Sequence, residues 1–190
     1  MINSTQCALN KVPEPQAAYT RASRGLHWLM AILIISMFVL GWFMMSIEND
    51  PGSDRYFMLH KSIGIIVLLL AFLRLLWRFG NQPGPLPEQL PSWQVRASKI
   101  SHWLLYGAMI AMPLAGLMGA LFSEDGMALF GFQLPKILAA NHDLSELLFS
   151  MHSAIAWGFV GLMSLHVLAA LKHLFVNNDG VFQRMWLQEK

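Results

Sequence analysis

The stretch Leu147 to Leu171, LLFSMHSAIAWGFVGLMSLHVLAAL, constrains this chain most: it is uncharged, as long as a bilayer span requires, and carries two histidines. An imidazole inside a membrane span costs free energy unless it is partnered, so His152 and His166 mark a site. The fourteen residues between them advance about 21 Å and complete almost four turns of α-helix. Both rings therefore share one face, one near each membrane surface. This is the spacing of two stacked sites.

Over 190 residues, 55% are hydrophobic and only 13% charged, too apolar for a soluble domain of this length. The expected fold class is an all-α membrane protein, a four-helix transmembrane bundle. Residues 1–19 form a polar leader with two prolines and no signal-peptide core, and 20–190 form a single domain. Helix 1 is expected over Gly25 to Ile47, after Arg21 and Arg24, ending at the Asp50-Pro51-Gly52 turn. Helix 2 runs from Tyr56 to Phe79. A proline-rich linker, NQPGPLPEQLP, follows. The segment PSWQVRASKISHW then reads as an interfacial run-up with Ser92 as N-cap, and helix 3 covers Ile100 to Ser123, kinked at Pro113. Between Glu124 and Glu146 the patch MALFGFQLP is too short to span, so it lies along the interface or caps the bundle.

This topology puts ten of the thirteen basic residues on the side of the termini and leaves Arg55, Lys61 and Lys136 on the other. Positive charge stays on the cytoplasmic side, so both termini are expected there. The basic residues form no stripe, which argues against nucleic acid as a partner. The single cysteine, Cys7, excludes a disulfide framework and any covalent C-x-x-C-H haem attachment.

With the helix directions assigned, each histidine acquires a depth. His60 and His152 lie at the outer level, and His27 and His166 at the inner one. Two facing imidazoles at each of two levels suit haem iron, which takes an axial nitrogen on each face of the macrocycle. His102 also starts at the inner level and is the rival of His27. One fourteen-residue step from His27 reaches Gly41, from His102 it reaches Gly116, and from His60 it reaches Arg74; Gly64 lies one turn beyond His60. The glycines could admit a porphyrin edge, or simply pack helices. Arg74 could pair with a haem propionate. His142 reads as a surface residue. His173, one heptad after His166, is either an interfacial residue or a functional hydrogen-bonding group.

The segments GLHW, LHKSIG, LRLLWR with PGPLP, SHWLLYGAMIAMPLAG, MHSAIAW, LHVLAALKH and NNDGVFQRM resemble the bacterial cytochrome b561 family over nearly the whole chain beyond the leader. The resemblance implies two non-covalent b-type haems in the inner membrane, one on His27 and His166 and the other on His60 and His152, with His173 as a quinone contact. Electron transfer between ubiquinone and a periplasmic redox partner follows as the expected function, and no side chain is needed as a catalyst. The resemblance also allows superoxide oxidation coupled to ubiquinone reduction. The outer loops carry seven acidic residues against three basic ones, an arrangement that slows an approaching anion. Two other readings are a haem-anchoring subunit of a dehydrogenase or hydrogenase, and a haem-free metal or proton transporter. The spans contain no Asp or Glu, which counts against the transporter.

Overall fold

The computed structural model describes residues 19–85 and 90–186. The leader through residue 18, with Cys7 and Lys11, lies outside these residues, as do 86–89 of the linker and Lys190. Four helices, α1 Arg21–Ser46, α2 Asp54–Gly80, α3 Ser92–Phe122 and α4 His142–Lys172, are each long and apolar enough to cross a membrane.

Their surface is inverted relative to a soluble bundle. Ile32, Val39, Leu69, Leu76 and Leu168 are all at least 60% exposed, an arrangement that is stable when hydrocarbon rather than water covers them. The buried centre is small. Met30, Ile34 and Met37 of α1 meet Val67 and Ala71 of α2, Tyr106 and Met109 of α3, and Phe159 of α4. Backbone packing is tightest between α3 and α4, and it continues from α3 to α2 and from α2 to α1. Between α1 and α4 the prominent contacts are made by rings, Phe38 on Phe159 at 5.8 Å and Trp42 on Trp157 at 5.8 Å.

Several boundaries move outward from the apolar runs. Thr20 caps α1 by accepting from the Ser23 N–H, so the helix includes both arginines that precede the uncharged stretch. The expected run-up to helix 3 is the first part of one 31-residue helix, because nothing after Pro91 interrupts it. Ser92 is its first residue rather than its cap: the Pro91 carbonyl already accepts from Gln94 and Val95. The helix passes through Pro113. At the start of α4, the Asn141 side chain accepts from Leu144, and its backbone N–H donates to the Phe122 carbonyl.

At the end opposite the termini, the apolar patch folds into a hairpin of β1 Ala128–Leu129 and β2 Phe132–Gln133. Phe130 and Gly131 at its tip both have positive φ, 47° and 91°, the pattern of a two-residue primed turn. A phenylalanine is strained there. Its N–H is held by the hydroxyl of Ser62, which is fully buried and also donates to Met58, so the hairpin is fastened onto α2. Of the two expectations for this patch, capping is what the fold displays.

The other end is tied by the C-terminal tail. After Lys172 the helix widens into a π-turn, His173–Asn177, and the chain reverses through Asn178 (φ 49°) and Gly180 (φ 79°). Residues 184–186 then lie against the start of α1. Arg24 donates to the Trp186 carbonyl, Trp28 to that of Met185, and Tyr19 N–H to that of Arg184. Arg184, counted from sequence as one charge of the basic margin, is 4% exposed and donates to the Gly84 carbonyl. It clamps the tail to the linker.

Candidate haem sites

At the hairpin end, His60 of α2 and His152 of α4 face each other with ring centroids 6.1 Å apart and planes at 79°. Gly116 of α3 makes room for this. A methyl group there would lie 2.7 Å from His152 Nδ1, so no larger residue fits while the ring stays in place. The imidazole can therefore approach the backbone of α3 and donate from Nδ1 to the Met112 carbonyl at 2.7 Å. A neutral imidazole has one N–H, so Nε2 is left as a free electron pair. That is the tautomer a metal ligand needs. Gly41 lies against the other ring, where a methyl would meet His60 Cε1 at 3.4 Å, an ordinary contact. Gly116 is thus the glycine shaped around an imidazole. Gly64 likewise would bring a methyl only into ordinary contact with Met37, at 3.8 Å.

At the end with the termini, His27 of α1 faces His166 of α4 at 6.3 Å, with planes at 72°. His102 of α3 also faces His166, at 5.6 Å. Two imidazoles binding one metal from opposite sides, with metal–nitrogen bonds of about 2.0 Å, have centroids roughly 6.2 Å apart. The His60–His152 and His27–His166 pairs match this separation, and the His102 pair is shorter than it. Arg74 of α2 lies where the fourteen-residue step put it, with Nη2 3.0 Å from His27 Nδ1. Its Nη1 is buried with no partner among the described residues. Beside it, Arg74 and Arg78 stand 6.0 Å and 5.8 Å from the Tyr106 ring, and all three line a cleft with Leu26, Trp77 and Asn81.

His173, at the first residue of the π-turn, has Nδ1 2.6 Å from Asp179 Oδ2. Sequence reasoning missed Asp179, although NNDG with its glycine signals a turn that could return a side chain to the helix end. Burial alone would raise its carboxyl pKa. Hydrogen bonds from His173, Val181 and Asn177 outweigh this and hold it below the usual carboxylate range. His142 stands on the surface, its Nε2 3.5 Å from Glu146.

Four apolar helices that span a bilayer and hold histidine pairs at two depths define an integral membrane protein of the cytochrome class. Residues 18–188 match the family described as prokaryotic cytochrome b561, and the chain belongs to that family. Cytochrome b561 homolog 2 of Escherichia coli K12 is 33% identical over 170 residues, covering 88% of this chain and 90% of that protein. Cytochrome b561 homolog 1 of the same strain is 28% identical over 181 residues, with 90% and 98% covered. A protein of Yersinia pestis named probable superoxide oxidase CybB is 30% identical over 172 residues, with 88% and 94% covered. Membership makes this a bacterial multi-pass membrane protein of electron transfer that binds b-type haem.

The residues present fit that group. His152 is already in the ligating tautomer. Arg74 Nη1 is a buried polar atom with no partner among the described residues. Ligation of His27 through Nε2 would put its proton on Nδ1, which then no longer accepts from Arg74. The guanidinium would need an anion, and a haem propionate is one.

Proposed function

We propose that this protein carries electrons across the bacterial inner membrane through two non-covalent b-type haems, between ubiquinone at the end with the termini and a redox partner at the hairpin end. The observation that carries the reading is the pair of imidazole separations, 6.3 Å for His27–His166 and 6.1 Å for His60–His152. Bound haem supplies a reversible one-electron change at its iron. His27, His60, His152 and His166 hold the irons, and Gly116 leaves the His152 imidazole its space. Arg74 neutralises a propionate at the inner level. The hairpin covers the outer level and the tail covers the inner one, which limits water near both.

The basic margin at the termini supports a cytoplasmic location for them. There His173, one heptad beyond His166, is the proposed hydrogen-bonding group for a quinone entering from lipid, with Lys172, Arg21 and Arg24 on the same margin. The Yersinia relative's name favours a second reading, superoxide oxidation at the hairpin end. The acidic outer loops oppose it, and Arg55 folds onto its neighbour Tyr56.

Haem content and redox titration of four variants test the proposal. His60→Ala or His152→Ala should remove one haem and leave the other, and His27→Ala or His166→Ala should do the reverse. Loss of the inner haem in His102→Ala, with retention in His27→Ala, would transfer that ligand role to His102. In haem-loaded protein, His173→Ala should slow exchange with a ubiquinone analogue at least tenfold, about 1.4 kcal/mol of barrier.

A further inference from the structure

The contact between His173 and Asp179 is built by the backbone around it. The π-turn and the two positive-φ residues, Asn178 and Gly180, bring residue 179 back to face residue 173. The carboxylate is oriented from two further directions. Val181 N–H donates to Oδ1 at 3.2 Å, and the Asn177 amide reaches Oδ2 at 3.3 Å. Each side chain of the pair is 18% exposed, so it sits at the molecular surface without being freely solvated. None of the haem-binding roles above uses Asp179.

We propose that Asp179 is the positioning residue for His173 in its exchange with quinone, holding the neutral imidazole with its proton on Nδ1 and presenting a bare Nε2 to a quinol hydroxyl. This rests on the reading of His173 as the quinone contact. A carboxylate can only accept, so Nδ1 must donate, and Nε2 is left as the acceptor. When a quinol hydroxyl gives up its proton, the O–H bond breaks and an N–H bond forms at Nε2, while a bound haem would supply the one-electron acceptor for the electron released with it. Once Nε2 has passed that proton to water, it can take the second in the same way, the second electron leaving by the same acceptor after it has been reoxidised. The imidazolium formed in the first transfer faces an ionised carboxylate that is already oriented, which stabilises it. An asparagine at 179 could instead donate its amide N–H to Nδ1, which places the ring proton on Nε2 and blocks acceptance there.

The test uses full-length, haem-loaded protein in lipid nanodiscs. Haem reduction by a soluble ubiquinol analogue is followed by stopped flow in Asp179→Asn, Asp179→Glu and His173→Ala, with the ring-nitrogen NMR signals of His173 recorded in parallel. Asp179→Asn should keep the haem spectra and full reducibility by dithionite, yet reduce the rate at saturating quinol roughly tenfold. Its His173 signals should report the proton moved from Nδ1 to Nε2. Asp179→Glu should recover most of the rate and the native tautomer. A native rate in Asp179→Asn, beside a slow His173→Ala, overturns the proposal and leaves the quinone site standing. So does a slow Asp179→Asn whose tautomer is unchanged. A native rate in His173→Ala removes the quinone reading itself, and this inference with it.

Discussion

Gly116 and Arg74 carry the two most specific demands of single side chains. An alanine at 116 would put a methyl group 2.7 Å from His152 Nδ1, so the ring must swing away and lose its bond to the Met112 carbonyl. Gly116→Ala is expected to yield one haem per chain instead of two, measured by pyridine haemochrome, whereas Gly64→Ala, with 3.8 Å of clearance, should retain both. Arg74 tests the inner level. A positive charge beside a haem favours the reduced iron, so Arg74→Gln should lower one midpoint potential and leave the other in place. If both stay where they were in a potentiometric titration, Arg74 serves only as a topology signal. His102 shows the limit of depth as an argument: it shares the inner level with His27, and the packed helices bring both rings to face His166, at 5.6 Å and 6.3 Å.

Among the elements, the tail and the hairpin close the two ends by unlike means. The hairpin is held through one buried hydroxyl, Ser62, between α2 and a strained tip. The tail depends on charge as well as on backbone bonds. Asp179 has its pKa depressed in the folded state, so its stabilising contribution is fully present above the ordinary carboxylate pKa and is lost as the pH falls through the depressed one. Hydrogen-exchange protection of the Val181 amide should therefore persist through mild acid and fall only below the usual carboxylate range. Asp179→Asn should lack that acid step. A protection factor that drops already near neutrality would show that another group controls the turn.

At the scale of the whole molecule, charge divides the two ends. Glu48, Asp50, Asp54, Glu124, Asp125, Asp143 and Glu146 gather with the hairpin, while the basic margin lies with the termini. An acidic rim speeds the approach of a cationic redox carrier and slows that of an anion, in a manner that salt screens. Electron exchange with a basic soluble redox protein should therefore slow as ionic strength rises from about 0.01 to 0.15 M, a range over which the Debye length shrinks from about 30 to 8 Å. The opposite salt dependence, together with rapid haem reduction by superoxide, would favour the reading that the Yersinia relative's name suggests.

By itself the sequence determined the number of spans, their order, the depth of each histidine and the level of Arg74, because hydropathy and the 3.6-residue turn are local properties that no neighbour can alter. The ends of the helices were less legible. Capping by Thr20 and Asn141 and the uninterrupted run after Pro91 extend them past the apolar stretches. Only the tertiary structure decided that Gly116 is cut to the shape of an imidazole, that Ser62 holds a hairpin 68 residues away, and that His173 meets a carboxylate across a π-turn. Each of these depends on where a second segment arrives. A residue's own periodicity holds its direction but not its partner, and in this protein the partner assigns the proton on His152 and on His173.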